Sequence, residues 1–238
     1  MIERELFSAV RIATFAGAMS LTASSGFLYQ RGQRLFLVTS RHVLVDRQSG
    51  HHPDRIEFVL HTDESNLTAW TTISILLYRD GLSQWRQATD SGGEIDVAVL
   101  EVDRGALPPN AVLYPFREDD CARPDAALPT GTPVLVVGFP LGFYDTVHHL
   151  PVVRTGAIAS AHGVRFQGEG FFLTDVRPHR GASGAPVVTR AGTGGHRAWT
   201  LLGIHSGSLD MQTRQDDIDE RLGLGCAWYA DVLKTLTT

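Results

Sequence analysis

The sequence lacks several features that define other classes of protein. Lys234 is the only lysine among 21 basic residues, and the formal net charge at pH 7 is −5. The positive surface of a nucleic-acid-binding protein is therefore missing. No apolar run reaches the roughly 18 residues of a membrane span. We therefore expect that the protein neither binds nucleic acid nor associates with a membrane.

Cysteine is scarce as well, and it occurs only at Cys121 and Cys226. Two cysteines cannot build a disulfide framework, although a single bridge between them stays open. A secretory signal would begin with net positive charge and continue as an unbroken apolar core of about 7–15 residues. Residues 1–5 hold two glutamates and one arginine, and Arg11 interrupts the apolar stretch that follows. The sequence therefore predicts a cytoplasmic protein made for a reducing compartment.

What is present is the composition of a folded globular protein rich in turns. Hydrophobic residues make up 43% of the 238 residues and charged residues 20%, which is ordinary for a soluble domain. The 24 glycines and 11 prolines favour many short strands separated by turns. Roughly twelve strands in two groups, followed by one helix, indicate two packed all-β units.

The two groups are separated by a stretch that contains six of the eleven prolines. Proline cannot donate to a sheet ladder, so residues 104–133 are predicted to connect a first unit at 1–103 with a second at 134–227. Apolar positions at the end of the chain predict a helix over 228–236. The predicted strands lie at 10–15, 26–30, 34–40, 55–62, 71–78, 95–102, 134–138, 152–160, 164–174, 185–190 and 199–205.

Three residues that can carry chemistry lie at the ends of predicted strands or on a tight loop. His42 follows a strand, Asp96 begins one, and Ser183 lies in the segment Gly181-Ala182-Ser183-Gly184. A nucleophilic serine needs an adjacent base and donors for the developing oxyanion. Each feature alone is an ordinary turn residue. Their combination, in the order His, Asp, Ser, indicates nucleophilic catalysis.

These residues belong to segments that resemble the chymotrypsin-like serine peptidases, the family in which the triad mechanism is best known. The resemblance is strongest to the bacterial branch with few disulfides, which includes the HtrA-type proteases and the glutamyl endopeptidases. It covers roughly residues 8–236. The similar segments are Ser25-Gly26-Phe27-Leu28, Thr39-Ser40-Arg41-His42-Val43, Asp96-Val97-Ala98-Val99-Leu100, Gly138-Phe139-Pro140-Leu141-Gly142, Thr155-Gly156-Ala157-Ile158-Ala159-Ser160, Gly181-Ala182-Ser183-Gly184-Ala185-Pro186 and Leu202-Gly203-Ile204-His205-Ser206-Gly207.

The resemblance implies an all-β fold of two perpendicular six-stranded β-barrels with a C-terminal helix, forming one domain over residues 1–238. It implies a serine endopeptidase that hydrolyses peptide bonds through an acyl-enzyme intermediate. Ser183 would be the nucleophile, His42 the general base and Asp96 the residue that orients His42. The backbone N–H groups of Gly181 and Ser183 would bind the oxyanion. Ser206 would help to hold Asp96.

The resemblance also suggests a specificity pocket that contains Arg177, His205, Ser206 and Gly207. Arg177 falls where animal trypsins carry the aspartate that selects basic side chains, and His205 resembles the pocket histidine of glutamyl endopeptidases. A histidine there can donate to a carboxylate or a carboxamide. We therefore expect Glu, Gln or Asp on the acyl side of the cut. The alternative is that Arg177 points to solvent and His205 only packs, and the acidic residues at 216–220 would oppose an acidic substrate.

No cofactor or metal is expected. The adjacent pairs His51-His52 and His148-His149 lack the spacing of metal ligands. A protein or peptide substrate is expected, and regulation by a partner protein stays open. Two other functions also remain: a catalytically silent module that binds peptides on the same scaffold, and an esterase with the same constellation.

Overall fold

The structure is a computed structural model that describes residues 2–123, 126, 128–177, 179–190, 198–211 and 220–238. Its strands form two large sheets and one small ribbon. Strands of the first half are β1 Ala9–Ala16, β2 Met19–Arg31, β3 Arg34–Thr39, β4 Arg55–His61, β5 Trp70–Leu76, β6 Tyr78–Arg79, β7 Leu82–Ser83, β8 Trp85–Asp90, β9 Gly93–Val102 and β10 Phe116–Arg117. Strands of the second half are β11 Pro133–Gly138, β12 Val152–Ala157, β13 Phe171–Thr174, β14 Pro186–Thr189, β15 Thr200–Met211 and β16 Glu220–Tyr229.

Helical segments are few and short. The described residues form two α-helices, α1 Arg41–Leu44 and α2 Val232–Leu236. Among the described helices, none has the length and apolar character needed to cross a membrane. The 3-10 turns are Arg4–Ser8, Arg104–Ala106, Glu118–Asp120 and Pro140–Gly142.

The first sheet has the strand order β5-β4-β1-β2-β3-β9-β8, and β10 adds a short parallel pairing to β2. Alternation explains the half-buried strand β4, which buries Ile56, Phe58 and Leu60 and leaves the residues between them partly accessible. The adjacent pair β3 and β9 is apolar on both faces, because it is covered by side chains on both sides. This buried pair carries the candidate residues of the first half.

The second sheet has the order β12-β11-β14-β15-β16-β13. Its inner face joins the first sheet in one common core, which buries Phe27 and Val97 from the first sheet with Val137, Leu201 and Trp228 from the second. A separate core fills each sheet's other side. The loops at the junction are therefore fixed by a continuous apolar interior.

The all-β prediction is confirmed, and its details differ in several places. The first sheet has eight strands, because the polar segment Trp85–Asp90 and the proline-rich connection both add strands. The strand expected over 164–174 begins only at Phe171, since Gln167 and Gly168 adopt positive φ and turn the chain. The C-terminal helix begins at Val232, because residues 228–229 complete β16.

Candidate active site

His42 lies on the single turn of α1, directly after the buried strand β3. Its backbone N–H donates to Asp96 Oδ1 at 2.9 Å, and its ring Nδ1 lies 2.6 Å from Asp96 Oδ2. The pairing of Thr39 with Ala98 between β3 and β9 brings these two residues together, since each lies a few positions beyond that pair. Two contacts to one carboxylate fix both the backbone and the ring of His42.

Asp96 is largely enclosed and accepts a further hydrogen bond, from Ser206 Oγ at 2.5 Å. Burial raises the pKa of its carboxyl group, but the hydrogen bonds and charge of His42 and the Ser206 hydroxyl outweigh burial. The net effect is a lowered pKa. Asp96 is therefore an anion at neutral pH, aimed at the Nδ1 side of the histidine ring.

Ser183 lies on the loop before β14, between two glycines with positive φ, Gly181 at 86° and Gly184 at 84°. Ser183 and His42 line one open cavity of about 760 Å³. Within the described part of the chain, Ser183 Oγ donates to the carbonyl oxygen of Ser206 at 2.9 Å and not to the ring of His42. The Ser183 hydroxyl must release this acceptor before its proton can pass to the histidine.

The backbone around Ser183 presents two free donors. Leu141 N–H donates to Arg180 O, and Ala185 N–H donates to Ala182 O at 2.9 Å. The N–H groups of Gly181 and Ser183, by contrast, find no acceptor among the described residues. Two free N–H groups beside a serine hydroxyl suit a developing negative charge on oxygen.

A second cavity, of about 870 Å³, adjoins the first at His42. Asp46 and His42 line both cavities, and Tyr78, Leu82 and Trp85 are among the residues that line the second. His42 thus lies where the two cavities meet.

The residues predicted for a specificity pocket do not lie together at the two cavities. His205 is fully buried, with no hydrogen-bond partner for Nδ1 among the described residues, and burial lowers its pKa to about 4. Arg177 is exposed, and its backbone N–H donates to Gly223 O at 3.2 Å. Gly207 pairs with Cys226 in the ladder of β15 and β16. Neither His205 nor Arg177 lines the two cavities that meet at His42.

Other predicted features lie outside the cleft or outside the described residues. Cys121 and Cys226 are free thiols. The acidic residues at 216, 217 and 219 are not among the described residues. In the described parts of the chain, no group of three or more His, Cys, Asp or Glu side chains is arranged to hold a metal ion.

Sequence reasoning missed the contacts of two serines. Ser24 and Ser25 donate their hydroxyls to the carbonyl oxygens of Ser183 and Gly181, at 2.8 and 2.7 Å. Arg180 lines the cavity that holds Ser183. The segment Ser25-Gly26-Phe27 was the available signal for the serines, but sequence alone does not show which loop a hydroxyl reaches.

Two curled sheets with a shared cleft, and a serine, a histidine and an aspartate at that cleft, are the features of a trypsin-like fold. The family model described as the trypsin-like peptidase domain matches residues 24–193, so the chain belongs to this family of serine peptidases. Family members of this class act on proteins or peptides. Among curated proteins, none matches the chain.

A solved structure extends the likeness to the whole chain. The serine endoprotease from Yersinia pestis is 17% identical in sequence, with a TM-score of 0.57. The match covers 100% of this chain and 66% of that one, so this chain spans slightly less than two thirds of its length. At this identity the likeness concerns the fold.

Proposed function

We propose that the protein is an endopeptidase in which His42, Asp96 and Ser183 form the catalytic triad. In this proposal, Ser183 Oγ attacks the scissile carbonyl carbon, and His42 Nε2 takes the serine proton. The carbonyl oxygen becomes an oxyanion that the N–H groups of Gly181 and Ser183 stabilise. His42 then gives the proton to the leaving amine, and the peptide bond breaks to leave an acyl ester on Ser183.

The second half of the proposed reaction reverses these roles. A water molecule gives a proton to His42 and attacks the acyl ester. The ester bond breaks, the acid product leaves, and the proton returns to Ser183. Asp96 keeps its charge throughout and stabilises the protonated ring of His42.

The observation that carries this proposal is the double contact between His42 and Asp96 at the wall of the cavity that holds Ser183. A carboxylate at Nδ1 leaves Nε2 as the free ring nitrogen of the histidine. The free N–H groups of Gly181 and Ser183 support the same reading. A silent binding module has no need for this charge arrangement.

The experiment is cleavage of an unfolded protein substrate, followed by mass spectrometry, with the intact protein and its Ser183→Ala variant. We expect internal cuts by the intact protein and none by the variant. Peptides and esters with the same acyl group then separate a peptidase from an esterase. Cleavage of the ester alone would favour the esterase, and binding without turnover would favour the silent module.

For the acyl side of the cut, we propose a preference for Glu, with Gln or Asp next. Support comes from two cations, Arg180 in the cavity and Arg177 on the exposed segment before it. His205 adds no such support, because it is fully buried and a neutral imidazole has only one N–H, which its hydrogen bond to the Cys226 backbone uses.

Peptides that differ only in the residue before the cut test this preference. We expect kcat/KM to be highest for Glu, and we expect Arg180→Ala to reduce it up to about fivefold for Glu with little change for Leu, because the cation is exposed. Arg47→Ala is the matched control, since Arg47 is an exposed arginine of the other cavity. Efficient cleavage after Lys or Arg would overturn the preference.

The cytoplasmic location also stays a proposal, supported by the free thiols of Cys121 and Cys226. Regulation by a partner protein also stays a prediction.

A further inference from the structure

A buried hydroxyl of the first sheet joins the two halves of the molecule behind the cleft. Ser25, on β2, has no accessible surface. Its Oγ donates to the carbonyl oxygen of Gly181 at 2.7 Å and accepts from the backbone N–H of Phe139 at 2.8 Å. A hydroxyl has one proton to donate, so the donor of Ser25 is committed to the loop that carries Ser183.

Both contacts of Ser25 act on the same short stretch of backbone. Phe139 begins the turn whose Leu141 N–H donates to Arg180 O. The C=O and N–H groups of one planar peptide unit point in opposite directions, so a fixed Arg180 O also fixes the direction of Gly181 N–H. Ser25 fixes the next peptide unit directly, through Gly181 O.

The neighbouring residue holds the other end of the loop. Ser24 Oγ and Ser25 N–H both donate to the carbonyl oxygen of Ser183, at 2.8 and 3.1 Å. Packing leaves this arrangement little freedom, because a Cβ atom on Gly138 would lie 2.5 Å from Ser25 Oγ. The carbonyl groups of residues 180–183 are thus all held, and the N–H groups of Gly181 and Ser183 remain free for a ligand.

We infer that Ser25 is a positioning residue of the oxyanion hole, which acts through Gly181 and Phe139 without touching the substrate. This inference rests on the proposed function. It predicts that the Ser25 hydroxyl contributes to kcat more than to KM, since the oxyanion exists only after attack. The ligand recognised by the positioned N–H groups is the negatively charged oxygen of a tetrahedral intermediate.

The test compares Ser25→Ala with Ser8→Ala. Ser8 is also a fully buried serine whose Oγ donates to a backbone carbonyl, that of Glu5, at 2.7 Å, and it lies outside the cleft. The two variants lose the same kind of group, so we expect similar losses of stability in urea denaturation. For Ser25→Ala alone we expect kcat to fall by about 10- to 100-fold at nearly constant KM, somewhat less than the loss of one oxyanion donor.

Inhibitor binding supplies a readout that a purely structural role would not move. A peptide aldehyde forms a hemiacetal whose oxyanion needs the hole, whereas the corresponding peptide alcohol does not. We expect Ser25→Ala to weaken the aldehyde in parallel with kcat/KM and to leave the alcohol unchanged. An equal loss for both ligands, or a kcat within twofold of that of Ser8→Ala, would overturn the inference.

Hydrogen exchange of the backbone amides tests the role of Ser25 even if the intact protein does not cut peptides. In the Ser183→Ala background, removal of the Ser25 hydroxyl should speed exchange in residues 139–142 and 181–185, and the Ser8 change should not. Unchanged exchange there would contradict the inference. Absence of turnover by the intact protein would instead contradict the proposed function.

Discussion

His205 shows how burial of a single residue sets a pH dependence. Burial lowers the pKa of its imidazole from 6.5 to about 4. Between pH 6.5 and pH 4 the imidazole is protonated in the unfolded chain but not in the folded protein. Its contribution to the free energy of unfolding is therefore fully present above about pH 6.5 and is lost as the pH decreases. From this group we expect the free energy of unfolding to fall by about 2 kcal/mol between pH 7 and pH 5.

Urea denaturation at the two pH values measures this loss, with His205→Asn as the control that cannot titrate. Burial also lowers the pKa values of His61, His149 and His162, so the control should retain part of the dependence. The same fall in both proteins would show that His205 does not contribute.

Asp96 and Asp145 offer a matched pair of aspartates. Each lies within 2.7 Å of a histidine Nδ1, but only Asp96 lies at the cleft, whereas Asp145 forms an exposed pair with His148. An amide at position 96 cannot hold the required ring tautomer of His42, so Asp96→Asn should lower kcat/KM by about 10⁴-fold. Asp145→Asn should leave kcat/KM nearly unchanged. Steady-state kinetics with one peptide decides between these outcomes.

The order His, Asp, Ser, together with the family resemblance of the surrounding segments, was enough to nominate His42, Asp96 and Ser183, although each of these residues alone looks like an ordinary turn residue. These assignments stay predictions until activity is measured. The contacts of Ser25 were out of reach, since its partners Gly181 and Phe139 are 156 and 114 positions away along the chain. Such long-range hydrogen bonds depend on how the two sheets pack.

Among the elements, β2 and β3 meet the loop of Ser183 at Gly184. Gly184 has φ of 84°, and a Cβ atom there would collide with Ser25 O and Thr39 Oγ1. Gly184→Ala should therefore destabilise the fold and separate the Ser183 loop from the first sheet. Gly32→Ala is the control, because Gly32 has φ of 57° and open space around it.

Both glycine variants carry the cost of positive φ, about 1 kcal/mol. The collision should add about 2 kcal/mol or more for Gly184→Ala alone, measured as a lower midpoint in urea. Equal destabilisation by the two variants would mean that the loop and the first sheet are not in close contact.

The bounds of a strand could be predicted from the sequence where its apolar residues form a clear pattern. The alternation in β4 and the apolar run in β9 are such patterns. Strand β8 was not, because it is mostly polar and accessible and depends on pairing with β9. The predicted length of β13 was too great. The glycines at 168 and 170 and the positive φ of Gln167 turn the chain, so the extended backbone starts only at Phe171.

At the scale of the whole molecule, the common core predicts that the two sheets unfold as one cooperative unit. Phe116, in the proline-rich connection, has no accessible surface and contacts Phe27 edge to face at 5.7 Å. Phe116→Ala should lower the free energy of unfolding by about 3–5 kcal/mol. Phe143, which is 70% exposed, supplies the control, and Phe143→Ala should change stability by less than about 0.5 kcal/mol.

Cooperativity itself is measured by following urea unfolding with tryptophan fluorescence and far-UV circular dichroism. Tryptophans lie in both sheets, at Trp85 in the first and Trp228 in the second. Coincident transitions for the intact protein and for Phe116→Ala are expected. Two separate transitions would show that the sheets unfold independently and that the connection does not join their cores.

Fluorophosphonate labelling followed by intact-mass measurement shows whether Ser183 is an activated nucleophile. We expect a single adduct that maps to Ser183, disappears in Ser183→Ala and persists in Ser8→Ala. We also expect much slower labelling of Asp96→Asn. An unlabelled folded protein, or an adduct that persists in Ser183→Ala, would mean that Ser183 is not an activated nucleophile.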